Sequence, residues 1–313
     1  MQREVKRIAV VGTGVIGASW AAYFLAQGLD VDASDPSTGA EQRLRDTVAR
    51  LWPSMEHMGL RPGASQKRLY FHENLEDALK NADFAQENGP EDLTLKVELF
   101  GRMDAACPPD VVLASSSSGL LISKVQAACR HPGRVVLGHP FNPPHLVPLV
   151  EVIGGDQTSQ EALEFTMQFY ASIGKRPIHP RKEVKGHIAN RLQAALWREA
   201  FNLVEQGVAT VQDIDAAIAH GPGLRWALLG PFMNLHLSGG QGGIEHLLDH
   251  LGGPMEDWWK DLGTPLMTPE LKQKVAQQVR EMLASNDEAG FVPERDRLLL
   301  DLIAAKKASG KLP

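Results

Sequence analysis

Apolar positions in the first half of the chain fall in short β-branched runs separated by longer stretches of helical period, a rhythm that predicts a doubly wound parallel sheet. Arg7–Val11 reads as the first strand, Val15–Gln27 as the helix behind it and Leu29–Ser34 as the second strand, with Gly28 where a helix C-cap is wanted. Leu69–His72, Asp83–Gln86, Val111–Ala114 and Arg134–Gly138 are further strands, and Leu149–Ile153 and Lys175–His179 extend the sheet. The pattern changes at residues 181–186. A long helical stretch runs from Ile188 to Gln206 and closes at Gly207; Thr210 with Asp213 forms a capping box for the next helix. Thr268-Pro269-Glu270 is a helix start with proline at the first helical position, and Pro293–Ser309 reads as the last helix, ending at Gly310. The expectation is a sheet domain over residues 1–184 and an all-helical domain over 185–313. On the Ile188–Gln206 helix, Ile188, Leu192, Ala195, Leu196, Leu203 and Val204 cover more than one face, so this helix is expected to meet several neighbours, a second subunit among them.

Composition narrows the setting. The 313 residues are 43% hydrophobic and 22% charged, enough to bury a full core. A formal charge of −6 gives no electrostatic reason to expect nucleic acid or an anionic membrane as partner. Two cysteines, Cys107 and Cys129, are too few for a disulfide framework and fit a reducing cytoplasm. The charged start, Met1 to Arg7, has no apolar signal core, and no stretch approaches the ~20 apolar residues that span a bilayer.

Gly12-Thr13-Gly14-Val15-Ile16-Gly17 is a G-x-G-x-x-G motif that follows a strand and opens a helix, and Asp35 ends the next strand 18 positions after Gly17. Such a turn lets backbone approach a pyrophosphate at a helix N-terminus, and the acidic residue accepts from the adenosine ribose while repelling a 2′-phosphate. The reading is a Rossmann-type domain binding NAD rather than NADP. Glu87 and Ser116, at the ends of two other strands, are taken as further cofactor contacts.

Two more groups lie at C-terminal strand ends, where ligands bind in open α/β sheets. One is Ser115-Ser116-Ser117-Ser118-Gly119; the other is His139-Pro140-Phe141-Asn142-Pro143, with Glu151 following in Leu149-Val150-Glu151-Val152. Oxidation of an alcohol needs a base near neutrality, which histidine provides, and a carboxylate on its far nitrogen fixes the tautomer. By spacing alone, a packed core histidine, a solvated strand-end carboxylate and an ordinary serine turn fit as well.

At these residues the sequence resembles the 3-hydroxyacyl-CoA dehydrogenase superfamily, with a similar H-x-F-N-P…L-V-E-V segment after a serine-containing turn, over essentially the whole chain. The resemblance implies that His139 is the base, Glu151 its partner, Ser118 a contact to the substrate oxygen and Asn190, in Gly186-His187-Ile188-Ala189-Asn190-Arg191, a further residue of the site. His187 replaces the family's phenylalanine, so different local packing is expected there. Lys96 matches a lysine that approaches the cofactor. In place of the G-Y-P-M-G-P-F-like stretch of acyl-CoA enzymes the chain has Gly223-Leu224-Arg225-Trp226-Ala227-Leu228-Leu229-Gly230-Pro231-Phe232, which is similar to a branch acting on free hydroxy acids, L-carnitine and L-gulonate among them. Carnitine carries a carboxylate, which Arg225 could grip, and a trimethylammonium, which aromatic faces recognise; Phe141, Trp197, Trp226 and Phe232 are the candidates. A short hydroxyacyl-CoA as substrate, or a non-catalytic role like that of the lambda-crystallins in this branch, are the alternatives. His246 and His250 have zinc-pair spacing, but Leu247 stands where a glutamate would follow, and no metal is expected; Trp258-Trp259 is read as an interface pair.

Overall fold

A computed structural model describes residues 4–284 and 288–312, so the first three residues of the charged start, Met1–Arg3, lie outside the described residues. The chain divides into two compact units, Met1–Arg191 and Leu192–Pro313.

The first unit is built on eight strands: β1 (Arg7–Val11), β2 (Asp30–Ser34), β3 (Leu69–His72), β4 (Phe84–Glu87), β5 (Val112–Ser115), β6 (Val135–Pro140), β7 (Leu149–Gly154) and β8 (Arg176–Ile178). Their order in the sheet is β3-β2-β1-β4-β5-β6-β7-β8. The helices are α1 (Val15–Ala26), α2 (Ala40–Met58), α3 (Leu75–Leu79), α4 (Leu93–Ala106), α5 (Ile122–Val125) and α6 (Gln160–Ser172). Chain order reverses at β1/β4, the switch point at which doubly wound folds bind nucleotides. Side-chain alternation along β1 serves both faces: Ile8 and Val10 join a core with Trp20, Phe24, Phe84 and Tyr170, while Ala9 and Val11 join one with Leu79, Phe100, Met103 and Leu113.

The sheet departs from the expected parallel pattern at one place. β7 runs antiparallel to β6, and β8, parallel to β7, follows it. Only eight residues (141–148) join β6 to β7, too few for a crossover helix, so the chain can only fold back on itself. β6 also continues through Pro140, so His139 lies within the strand rather than after it.

The second unit holds most of α7 (Ala189–Glu205), then α8 (Val211–Ala219), α9 (Pro222–Trp226), α10 (Pro231–Ser238), α11 (Gly243–Asp261), α12 (Pro269–Leu283) and α13 (Glu288–Ser309). The Thr210–Asp213 capping box and the Thr268 N-cap with Pro269 behind it form as the sequence predicts. α10 packs on α11, and α8 on α9 and α12. Lys274 Nζ donates to the carbonyls of Val204 (2.5 Å) and Glu205 (3.2 Å), closing the end of α7. The last helix starts at Glu288 rather than Pro293: it passes through the proline, which removes one backbone donor. No helix among the described residues is long and apolar enough to cross a membrane.

Candidate active site

The glycine turn leaves β1 at Val11 and enters α1 at Val15. Gly12 has φ +84°, and a Cβ there would lie 2.9 Å from the Asn88 carbonyl carbon; a Cβ on Gly17 would lie 1.9 Å from the Gly12 oxygen. Both must therefore be glycine for α1 to sit this close to the sheet. At the N-cap, Gly14 has open space around it, no side chain caps the helix, and the first turn has no acidic residue. The amide ends and the positive dipole of α1 are thus available to an anion. These features fit the pyrophosphate of a dinucleotide.

Asp35 lies just past β2. Its Oδ2 accepts from Thr13 N at 2.7 Å and Thr13 Oγ1 at 3.2 Å, and its Oδ1 from Ser37 N at 2.9 Å and the Ser37 hydroxyl. Partial burial pushes its pKa up, but these donors outweigh burial and hold it below the ordinary value. Asp35, Ser37, Arg45, Phe71 and Glu73 line a cavity of about 770 Å³ beside the turn, ample for a nucleoside.

Glu87 and Lys96 are brought together beneath this turn. Lys96 Nζ donates to Glu87 Oε1 at 2.6 Å and to the Gly89 carbonyl at 3.2 Å, while Glu87 also accepts from Gly89 N (2.6 Å) and Ser115 Oγ (2.7 Å). Both side chains are wholly buried, so they brace the Asn88–Gly89 backbone against which Gly12 packs. Ser116 Oγ donates to Asn88 Oδ1 at 2.8 Å and accepts from Gln86 Nε2 at 2.8 Å, while the Tyr170 hydroxyl donates to Gln86 Oε1.

The serine loop is organised by Glu91, a residue that belongs to none of the sequence motifs. Glu91 Oε1 accepts from Ser117 Oγ (2.7 Å), Ser118 N (3.0 Å) and Gly119 N (2.8 Å). Burial raises the Glu91 pKa, but the Ser117 hydroxyl and the Gly119 amide outweigh it and leave the carboxylate below its ordinary range. The signal was available: Gly89-Pro90-Glu91 is a turn directly after β4, at the same C-terminal sheet edge as the serines.

The β6–β7 pairing sets His139 directly opposite Glu151. Opposed residues of an antiparallel pair share a face, and here Nδ1 of His139 lies 2.9 Å from Glu151 Oε2, with both side chains buried. A carboxylate only accepts, so Nδ1 carries the hydrogen and Nε2 of the neutral ring is bare. Glu151 Oε1 accepts from Ile188 N (2.8 Å) and Ala189 N (3.1 Å). Burial alone would raise the pKa of Glu151; the bond to His139 and the two amides bring it below the ordinary value. Asn190 Nδ2 donates to the Ser118 carbonyl at 3.1 Å, and Phe141 stands edge-on to His139, ring centroids 5.5 Å apart. The segment 188–190 therefore reaches both the His–Glu pair and the serine loop. His187, in the family's phenylalanine position, is buried in the same place.

The other substrate candidates belong to the second unit. Arg225 and Trp226 form the end of α9, Phe232 opens α10 and Trp197 lies on α7; all four are exposed. Among the described residues Arg225 makes no ion pair, which leaves its guanidinium available to a carboxylate.

Family models place these features. The model for the NAD binding domain of 3-hydroxyacyl-CoA dehydrogenase matches residues 7–184, and the one for its C-terminal domain matches residues 186–287. The chain is 48% identical over 310 residues to an L-carnitine dehydrogenase of Streptomyces griseus, covering 99% of this chain and 92% of that one. It is 47% identical over 306 residues to an L-carnitine dehydrogenase of Pseudomonas putida, covering 98% and 95%. Among solved structures it resembles an NAD+-dependent 5-formyl-3-hydroxy-2-methylpyridine 4-carboxylic acid 5-dehydrogenase, with a TM-score of 0.82, 29% identity, and 97% and 99% of the two chains covered. It also resembles 3-hydroxybutyryl-CoA dehydrogenase of Escherichia coli K12, with a TM-score of 0.65, 32% identity, and 75% of this chain and 50% of that one covered.

Proposed function

The chain belongs to the 3-hydroxyacyl-CoA dehydrogenase family, NAD-dependent oxidoreductases acting on a CH–OH group, and on that premise we propose that it oxidises L-carnitine to 3-dehydrocarnitine with His139 as the base. The observation that carries this reading is the buried His139–Glu151 pair at 2.9 Å, on the C-terminal edge of the sheet that also bears the glycine turn. Identity of 47–48% over nearly the whole chain to proteins named L-carnitine dehydrogenase supports the choice of substrate.

The Gly12–Gly17 turn and the N-terminus of α1 hold the pyrophosphate, and Asp35 the adenosine ribose. With NAD+ bound by these residues, the cofactor would supply the acceptor for the hydride that leaves substrate C3. His139 Nε2 takes the hydroxyl proton as C3 loses that hydride, leaving a ketone. The imidazolium formed is stabilised by Glu151, which the Ile188 and Ala189 amides keep ionised. The Ser118 hydroxyl and the Asn190 amide orient the substrate oxygen. In the sheet unit Phe141 offers a face suited to a trimethylammonium; in the helical unit Arg225 has the chemistry to pair with a carboxylate, and Trp197, Trp226 and Phe232 that to receive a quaternary ammonium. Glu87, Lys96 and Ser116 act on the cofactor side through the loop that backs the glycine turn. We also infer that the protein is a homodimer joined through its helical unit, where Leu192, Trp258, Trp259 and Leu266 are exposed.

Initial rates with NAD+ and L-carnitine, D-carnitine, L-gulonate or L-3-hydroxybutyryl-CoA test the assignment. L-Carnitine should give the highest kcat/KM. Turnover of another member with none of carnitine would overturn the substrate and leave the His–Glu chemistry standing.

A further inference from the structure

His187 is the only non-glycine residue with a positive φ (+51°) among the described residues, directly after Gly186 at +77°. That backbone is disfavoured for any side chain, although histidine enters it more readily than most. The turn projects its imidazole into the site: the ring is buried, 5.2 Å from the His139 ring centroid and tilted 52° to it. Its Nε2 lies 3.3 Å from the Ser117 carbonyl oxygen. A carbonyl can only accept, so Nε2 carries the hydrogen, and Nδ1, buried with no partner, is the bare nitrogen.

We propose that His187 is a positioning residue of this centre, held as the neutral Nε2–H tautomer, which fixes the serine loop against the wall that His139 packs on. Successive residues then divide the work. His187 donates to the Ser117 carbonyl, Ile188 and Ala189 donate to Glu151, and Asn190 donates to the Ser118 carbonyl. One four-residue stretch thus sets the distance between the base, its carboxylate and the Ser118 hydroxyl. A phenylalanine would fill the space without supplying the donor.

A neutral ring is what the surroundings favour. Burial and the neighbouring His139 both lower the His187 pKa, against smaller opposing effects of the Ser117 carbonyl, Glu151 and Glu91. The titratable groups facing it are His139 on β6, Glu151 on β7 and Glu91 after β4. A proton on Nδ1 would be a buried donor without an acceptor, beside the ring that must itself become positive.

This inference rests on His139 being the base, and its test has one arm free of that premise. In the apo protein, long-range 1H–15N spectra should place His187 in the Nε2–H tautomer throughout pH 6–8; an Nδ1–H tautomer, or an imidazolium at pH 7, would overturn the proposal. In the second arm His187→Phe and His187→Gln are compared on whichever panel substrate turns over. Both share the strain of the positive φ, and only glutamine restores a donor. His187→Phe should lower kcat roughly tenfold, as a misplaced reacting group does, with NAD affinity within about twofold of the parent by titration. His187→Gln should recover most of the loss. Equal kcat in His187→Phe and the parent, or equal losses in the two folded variants, would contradict the role.

Discussion

At the scale of single residues, the site is held by carboxylates that collect hydrogen bonds. Asp35, Glu91 and Glu151 each accept from backbone amides that would otherwise point at nothing, and each is thereby kept ionised. Asp35 serves two ends at once, since the carboxylate proposed to face the ribose also fixes Thr13 in the glycine turn. Replacement by alanine should therefore lower the ratio of kcat/KM for NAD+ over NADP+ by roughly tenfold or more, on the basis of the repulsion between a carboxylate and a 2′-phosphate. An unchanged ratio in steady-state assays with the two cofactors would count against this placement. Motif spacing made Asp35 legible in the sequence, whereas for His139 and Glu151 spacing left other readings open and only the family resemblance singled the two out. Glu91 had only its place after β4 to mark it, because the serine loop it gathers comes 26 to 28 residues later, and the burial of Lys96 against Glu87 was not legible, because neither sits in a motif that names its partner.

Among elements, the β6–β7 hairpin carries the proposed chemistry. Its short connection forces antiparallel pairing, and the register places His139 across from Glu151. The sequence pattern announced both strands but not their relative direction, because alternation is the same for parallel and antiparallel pairs. The loop between them is tied down by Lys175, whose Nζ donates to the carbonyls of Pro144 and Val147 and lies 3.7 Å from the Tyr23 ring centre. Burial lowers the Lys175 pKa to about 7. In the unfolded chain this amine keeps its proton until far higher pH, so from pH 7 upward the unfolded state binds more protons and stability should rise. Above about pH 9 the thiols of buried Cys107 and half-buried Cys129, pushed up to about 12, pull the other way, because unfolding then releases their protons. Urea unfolding should thus show stability increasing between pH 7 and 8.5, and Lys175→Met should flatten that increase while costing about 1–3 kcal/mol for each carbonyl left unpaired. A variant as stable as the parent with the same slope would disprove the anchoring role.

At the scale of the molecule, the division into a sheet unit and a helical unit followed from the change of period near residue 185. The family models part between residues 184 and 186, and the compact units slightly later, after Arg191, because α7 begins in one and continues in the other. Exposed Leu192, Trp258, Trp259 and Leu266 on the helical unit underlie the homodimer inferred above. Light scattering coupled to size exclusion should give about twice the chain mass of 34.2 kDa, and a monomer at micromolar concentration would reject the dimer. The claim on which the whole account turns is narrower: one imidazole takes the hydroxyl proton. His139→Gln, assayed with the preferred substrate and titrated with NAD+ by fluorescence, tests it most directly. Turnover should drop by about 10²–10⁴-fold while NAD affinity stays within about twofold; activity within tenfold of the parent would contradict the assignment.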